Sequence, residues 1–197
     1  MSRGLIIALV AAAVLVFWAI GLRNSMAGKD QDVKAEWAKV ETQYQRRSDL
    51  IPNLVKTVQG AANFEKGTLT DVINARASAT QIKLTADELT PENMAKFQAA
   101  QSQLQGALSR LMAVAENYPQ LRATQNFSDL QAQLEGTENR ITVARDNFNG
   151  VVRQYNGSVV AFPNNILAGL FGYKEKGYFE ADPGSQKAPN VDFGGAK

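Results

Sequence analysis

Cysteine and histidine are both missing from the 197 residues of this chain. Without cysteine no disulfide can hold the fold, and no thiolate can serve as nucleophile or soft metal ligand. Without histidine, the side chain that most often moves protons near neutral pH is gone. Only hydroxyls, carboxylates, amines and phenols remain for chemistry, which removes most familiar enzyme mechanisms. Zinc and transition-metal sites draw on the two absent residue types and are not expected. Mg²⁺ or Ca²⁺ would need converging carboxylates. Here the acidic residues are scattered at helix-surface spacing, and Asp30/Asp32 and Asp87/Glu88 read as solvated turns or helix starts. No phosphate-cradling glycine loop and no serine elbow occurs. The sequence predicts no enzymatic activity, no cofactor and no metal.

Net charge is equally scarce. Twenty-one basic side chains face 19 acidic ones, a formal charge of +2, too little to imply nucleic acid. Apart from Arg46-Arg47 no basic cluster interleaves with aromatics. Strand signals are absent as well, because polar and apolar residues do not alternate at period two over any useful length.

What the chain does possess is one long uncharged run, Gly4 to Leu22. Its nineteen residues are just enough to cross a bilayer as a helix. The run is apolar all round, as lipid demands, whereas a core helix would show one apolar stripe. A cleaved signal peptide would have a shorter apolar region before a small-x-small site. Ser25-Met26-Ala27 could serve as that site, but the run is too long for one. Trp18, near the far end, suits the interfacial belt. The flanking charges, Arg3 and the terminal amine on one side and Arg23 and Lys29 on the other, are nearly balanced; the count leans towards a cytoplasmic domain, but long translocated domains are poorly governed by it, so both orientations stay open.

Beyond the anchor the chain is written in helical period. Val33, Trp37, Val40, Tyr44, Arg47, Ile51, Leu54, Val58 and Ala61 alternate steps of four and three, with Arg47 breaking the apolar rule. The spacing carries on through Glu65, Leu69, Val72, Arg76, Ala79 and Lys83, predicting one helix from about Asp30 to Leu84, loosened near Gly60 to Gly67. Thr90-Pro91-Glu92 announces a second helix, whose stripe is Met94, Phe97, Gln101, Leu104, Leu108, Leu111, Ala115 and Tyr118 before Pro119. Ser128 and Gln131 have capping-box spacing and predict the start of a third. Its stripe runs Leu130, Leu134, Thr137, Ile141, Ala144, Phe148, Val151, Tyr155 and Val159, and Pro163 stops it. Asn164 to Phe179 could supply a short fourth helix or a cap. Short connections imply antiparallel neighbours.

The expected fold is therefore all-α: a transmembrane helix followed by a long antiparallel up-down bundle of three long helices and a short C-terminal one. The segments are an N-terminal flank (1–3), the anchor (4–22), a juxtamembrane linker (23–29), the bundle domain (30–180) and a flexible tail (181–197). Aligning the helices from their loops puts Glu65 at about the level of Glu138 and Asn139, with Arg76 several turns further from the membrane. Glu116, Glu138, Arg140 and Arg145 then read as ordinary surface pairs or register-fixing groups; the rival reading is a polar groove that receives a peptide or small ligand.

Pro52 lies inside the first helix and removes the amide that would bond the carbonyl of Ser48. The plain reading is that Arg46, Arg47, Asp49 and Asn53 satisfy the opened turn and one another. The functional reading makes this polar turn a docking or hinge site.

Tyr44-Gln45-Arg46-Arg47-Ser48-Asp49-Leu50-Ile51-Pro52-Asn53-Leu54-Val55 closely resembles the signature of the LemA family of bacterial membrane proteins. Asn74-Ala75-Arg76-Ala77, Glu116-Asn117-Tyr118-Pro119-Gln120-Leu121, Glu138-Asn139-Arg140-Ile141 with Ala144-Arg145, Phe162-Pro163-Asn164-Asn165 and Tyr178-Phe179-Glu180 extend the likeness along nearly the whole chain. The resemblance implies an N-terminal anchor in the inner membrane, a long helical domain and no established enzymatic activity. Some relatives look like lipoproteins, with a cysteine where this chain relies on Gly4 to Leu22. That comparison favours an extracytoplasmic, periplasmic domain, whereas the topology suggested for the family points to the cytoplasmic side.

Together these readings point to a membrane-anchored interaction or scaffold protein that contacts the bilayer through Gly4 to Leu22 and a membrane protein of unknown identity. A homo-oligomer is compatible with the sequence. The alternative is the ligand-binding ectodomain of a sensor, which would have to signal through a separate partner because only Met1 to Arg3 lie across the membrane. The candidate interaction residues are Arg46, Arg47, Asp49 and Asn53 at the proline turn, and Phe162, Phe171 and Tyr173 in the C-terminal segment.

Overall fold

A computed structural model describes residues 2–61 and 64–181. The tail expected over 181–197 lies, except for its first residue, outside the described residues. Among those described, every element is helical: α1 (Arg3–Gln59), α2 (Lys66–Gln81), α3 (Pro91–Ala115), α4 (Pro119–Arg122), α5 (Gln125–Val160) and α6 (Asn164–Phe171). The all-α, up-down antiparallel architecture is as the sequence predicts.

α1 carries the apolar run directly into the bundle. Its 57 residues extend ~85 Å at ~1.5 Å per residue. The first part is exposed on nearly all sides, and among the described residues this is the one helix long and apolar enough to cross a membrane. From Met26 onward a single stripe is buried, and it includes Val33, Trp37, Val40, Tyr44, Arg47, Ile51, Leu54 and Val58.

The helix expected to continue unbroken to Leu84 instead ends at Gln59. Gly60 closes the last turn, Phe64 turns inward against the ring of Tyr118, centroids 4.9 Å apart, and α2 folds back. The reason is burial. A straight continuation would leave Leu69, Val72, Ala75 and Ala79 facing water, whereas the reversal seats all four in the core. Consequently Arg76 returns to the level of Ser48 instead of lying further out, and Glu138 faces Arg47, not Glu65.

Two further boundaries differ from the sequence expectation. α3 ends at Ala115, short of Tyr118 and Pro119, and Pro119 instead opens the one-turn α4; α5 begins at Gln125 behind Thr124. Ser128 therefore lies inside the first turn of α5, where its amide donates to the carbonyl of Thr124 at 3.2 Å, and it caps nothing. Near the end of α5 the buried residue is Val152, not Val151, because steps of four, three and four connect Phe148, Val152, Tyr155 and Val159. Thr90 caps α3 as expected, its hydroxyl oxygen accepting from the amide of Asn93 at 3.2 Å.

The core divides into two apolar clusters along the bundle axis. The membrane-distal one joins α1, α2, α3 and α5 around Leu54, Val58, Val72, Leu104, Leu111 and Phe127. The membrane-proximal one is aromatic: Trp37 lies 5.4 Å from both Phe97 and Phe148 and stacks at 6.2 Å on Phe179. Phe179 belongs to an extended strap, residues 173–181, that replaces α2 as the fourth wall here.

Three amide side chains hold this strap as a neighbouring strand would. Asn156 bonds both the carbonyl and the amide of Lys176, at 2.8 and 2.9 Å. Asn149 does the same for Phe179, at 2.9 Å each way, and Gln98 for Glu180, at 2.7 and 3.0 Å. Between them Gly177 donates to the carbonyl of Leu89 at 2.7 Å. A Cβ on Gly177 would lie 2.8 Å from Cα of Pro91 and 2.9 Å from Cγ of Met94, so only glycine fits.

Replacing Gly177 by alanine is expected to lower stability by about 1–3 kcal/mol, since backbone of α3 must shift. Gly106→Ala, in the middle of α3 with nothing near the new methyl, is expected to raise it by about 0.5–1 kcal/mol. Thermal unfolding of the two variants checks the contrast; equal effects would contradict the close approach.

Candidate polar layer beneath the proline turn

The two apolar clusters meet at a layer of polar side chains contributed by four helices. Arg47, at a stripe position of α1, is 2% exposed. Its guanidinium donates to Glu138 Oε2 on α5 at 2.9 Å and to Gln101 Oε1 on α3 at 2.7 Å, and lies 5.1 Å from the ring centre of Tyr44. Gln101 in turn donates to the carbonyl of Ala79 on α2 at 3.3 Å. Burying a cation costs several kcal/mol unless partners replace its water, and these contacts do so. Arg47 Nε and the Ser48 hydroxyl have no partner among the described residues.

One helical position away, the carbonyl of Ser48 has lost its intrahelical donor to Pro52. Arg76 Nε, on α2, donates to it at 2.9 Å. The opened turn is thus satisfied from across the bundle. Arg46, Arg47, Asp49 and Asn53, expected to close it, do other things. Arg76 and Ser48 also line a groove of about 630 Å³ together with Glu41, Thr80, Lys83 and Gln101. The outer guanidinium of Arg76 and the Lys83 ammonium suit it to hydrogen-bonding or anionic groups.

The seven residues singled out from the sequence do not form one site. Arg47 turns inward, while Arg46, Asp49 and Asn53 are exposed and border a shallow depression of about 930 Å³ with Thr42, Gln45 and Gln133. Gln45 Nε2 donates to Asp49 Oδ1 at 2.8 Å across its floor. Phe162, Phe171 and Tyr173 lie at the membrane-proximal end. Phe162 is 81% exposed, Phe171 is 38% exposed, and Tyr173 is half-buried against Tyr155. Sequence reasoning missed Arg76, Gln101 and Glu138 as members of the layer. Arg76 and Gln101 carried a legible signal, since each is a polar residue on an otherwise apolar stripe; only the fold shows that they meet. Glu138 is half-buried as the partner of Arg47, not an ordinary surface charge.

A second polar cluster pins the strap near the membrane end. Lys176, 8% exposed, bonds Asp30 at 2.8 Å and the carbonyl of Ala86 at 2.8 Å. Lys34 bridges Asp30 at 3.0 Å and Asp87 at 3.2 Å. Burial opposes ionisation of Asp30, but the bonds to Lys176 and Lys34 outweigh it and hold the carboxyl below its ordinary value. Tyr155 donates to the carbonyl of Lys174 at 3.0 Å, and burial, with the charge of Asp30, pushes its phenol up to about 12. No group of three or more acidic side chains able to hold a metal occurs among the described residues.

The sequence profile of the LemA family matches residues 36–193. The chain belongs to the LemA family. Two relatives from Paramagnetospirillum magneticum, magnetosome proteins MamQ 1 and MamQ 2, are each 26% identical over 177 residues, covering 81% of this chain and 65% of theirs. MamQ of Magnetospirillum gryphiswaldense is 25% identical over the same coverage, and protein LemA of Metamycoplasma hominis is 20% identical over 155 residues, 79% of this chain and 67% of its own. The chain thus spans just under two thirds of the length of the MamQ relatives. This LemA-family chain is a membrane-associated helical protein, and its one apolar N-terminal helix is consistent with a single pass.

Two outcomes test the layer and the clamp. Arg76→Ala is expected to cost about 1–3 kcal/mol by orphaning the Ser48 carbonyl. In a Pro52→Ala background, where residue 52 regains an amide to bond that carbonyl, the cost should shrink; a double-mutant cycle in urea measures the difference. For pH, Asp30 has a lowered folded value, so its contribution is present above the unfolded value near 3.8 and is lost as acid protonates it. Tyr155 has a raised folded value, so its contribution is full below 10 and is lost as pH rises towards about 12. Unfolding curves of Tyr155→Phe should lack that alkaline loss.

Proposed function

We propose that this LemA-family protein is a membrane-tethered scaffold: a rigid bundle that holds a docking surface at a set distance from the bilayer, with no catalytic step of its own. The observation that carries this reading is the continuity of α1. The same helix that forms the apolar run, none of it buried, supplies the wall of the bundle that bears Arg46, Asp49 and Asn53. From Leu22 to Asn53 that helix rises ~45 Å, so a partner bound there is held well above the lipid.

The docking surface is the depression at the proline turn. Its walls carry both signs of charge, Arg46 and Asp49, together with the amides of Gln45, Asn53 and Gln133. Such a surface suits the polar rim of a protein partner better than an apolar ligand. The buried layer beneath, Arg47 with Gln101 and Glu138, fixes the helix that presents it. The family resemblance to lipoproteins supports an extracytoplasmic bundle on the inner membrane. A second membrane protein is the partner this geometry fits, and self-association at the same surface is the competing outcome of the test.

Photocrosslinking from residue 53 in intact membranes, followed by identification of the adducts, tests the reading. The combined change Arg46→Glu with Asp49→Lys is expected to reduce adduct yield at least tenfold while leaving helicity unchanged. Undiminished adducts would remove this surface as the docking site, and protease access to the bundle in spheroplasts reads its side of the membrane.

A further inference from the structure

α6 is the most apolar element outside the membrane run, yet it buries almost nothing. Of its eight residues only Ala168 is buried. Ile166 is 65% exposed and Leu170 76%, one helical turn apart on the face opposite Ala168. Phe162, a further four residues back, is 81% exposed, and Val160 is 51% exposed. A small soluble domain does not ordinarily leave such a contiguous apolar face uncovered.

The position of this face indicates what covers it. α1 and α5 run antiparallel, and Lys29 bonds Ser158 near the end of α5. The chain after Val160 therefore lies at the level of α1 residues that precede Lys29. α6 packs on both helices, and Leu22, last residue of the apolar run, packs against the cluster that contains Ala168. The nineteen-residue run is ~28 Å long, close to the hydrocarbon thickness of a bilayer. Its end at Leu22 thus marks the lipid–water boundary, and α6 sits there. Arg23, which follows directly and is exposed, puts a cation at the headgroups.

We propose that α6 is a second membrane contact, a short interfacial helix whose Phe162, Ile166 and Leu170 enter the same leaflet that α1 leaves. The occupant is lipid because the exposed face is apolar and lies at the level where the apolar run of α1 ends, beside Leu22. Helices of this kind lie in the interface plane with one face immersed by ~5–10 Å. Ala168, buried in the membrane-proximal cluster, seats α6 on the bundle. Two attachments, one spanning and one interfacial, fix the tilt and rotation of the bundle, which a single helix leaves free.

The chain has no cysteine, so single labels can be placed in the full-length protein without background. Residues 10, 143, 166 and 170 are each changed to cysteine in turn, labelled with an environment-sensitive fluorophore, and reconstituted in phosphatidylethanolamine–phosphatidylglycerol vesicles containing nitroxide lipids. Labels replacing Ile166 and Leu170 are expected to be quenched at least threefold more strongly than one replacing Val143, which is 59% exposed on α5, and to emit at shorter wavelength. If they behave like the label at 143, α6 is in water and the proposal fails. Disulfide formation between copies through Ile166→Cys, with no lipid quenching, would instead assign the face to a second copy. The label replacing Val10 reports the span itself, so a failure confined to α6 leaves the anchor reading intact, whereas an unquenched label there overturns both.

Discussion

Pro52 removes one backbone donor from the middle of α1, and the carbonyl it abandons, that of Ser48, is bonded by Arg76 from a different helix. Much of the arrangement depends on that substitution of a tertiary for a local hydrogen bond. Arg76 can reach Ser48 only if α2 folds back along α1, so the reversal at Gly60 and the proline 8 residues earlier serve one geometry. Beside it Arg47 reaches across to α3 and α5. Sliding α5 by one turn, ~5.4 Å, would bring Leu134 or Thr142 to the level of Glu138 and leave a buried cation without its carboxylate. The apolar clusters on either side supply the driving force for collapse, but apolar contact alone tolerates such slides. The polar layer does not.

At the other end the same logic appears with different groups. The strap has no helix or strand partner, so its backbone is satisfied by Asn156, Asn149 and Gln98, each bonding an amide and a carbonyl. Lys176 adds a charged clamp to Asp30 on α1 and to the α2–α3 connection. These contacts close the aromatic cluster over Trp37, near the end of the apolar run of α1. The bundle is thus tightly specified just past the apolar run of α1, as the proposed scaffold role requires.

Much of the fold was legible in the residue spacing. The stripes of α1, α3 and α5 are buried nearly as read, because a period of 3.6 leaves one apolar face and water forces that face inward. Thr90-Pro91 marked a helix start for a local reason, a hydroxyl acceptor followed by a residue with no amide to orphan. The break at Gly60 was weaker in the sequence, since the apolar spacing runs on through it. Ser128 mimicked a cap by spacing alone, while Thr124 held the position. The candidate site was half legible: Arg47 stood out on its stripe, but its partners are 54 and 91 residues away in sequence, and no local pattern pairs them.

The sequence by itself determined the elements that depend on neighbours within a turn or two: an uncharged run long enough for lipid, amphipathic helices, their proline and threonine boundaries, and the exclusion of thiol and imidazole chemistry. Its signature also placed the chain in the LemA family. Only the tertiary structure decided which carbonyl Arg76 would serve, that Arg47 would be buried while Arg46, Asp49 and Asn53 faced out, and that the apolar side of α6 would be left exposed beside the end of the apolar run of α1. Hydrogen bonds and burial between distant segments depend on register, and register is fixed only when the whole bundle closes.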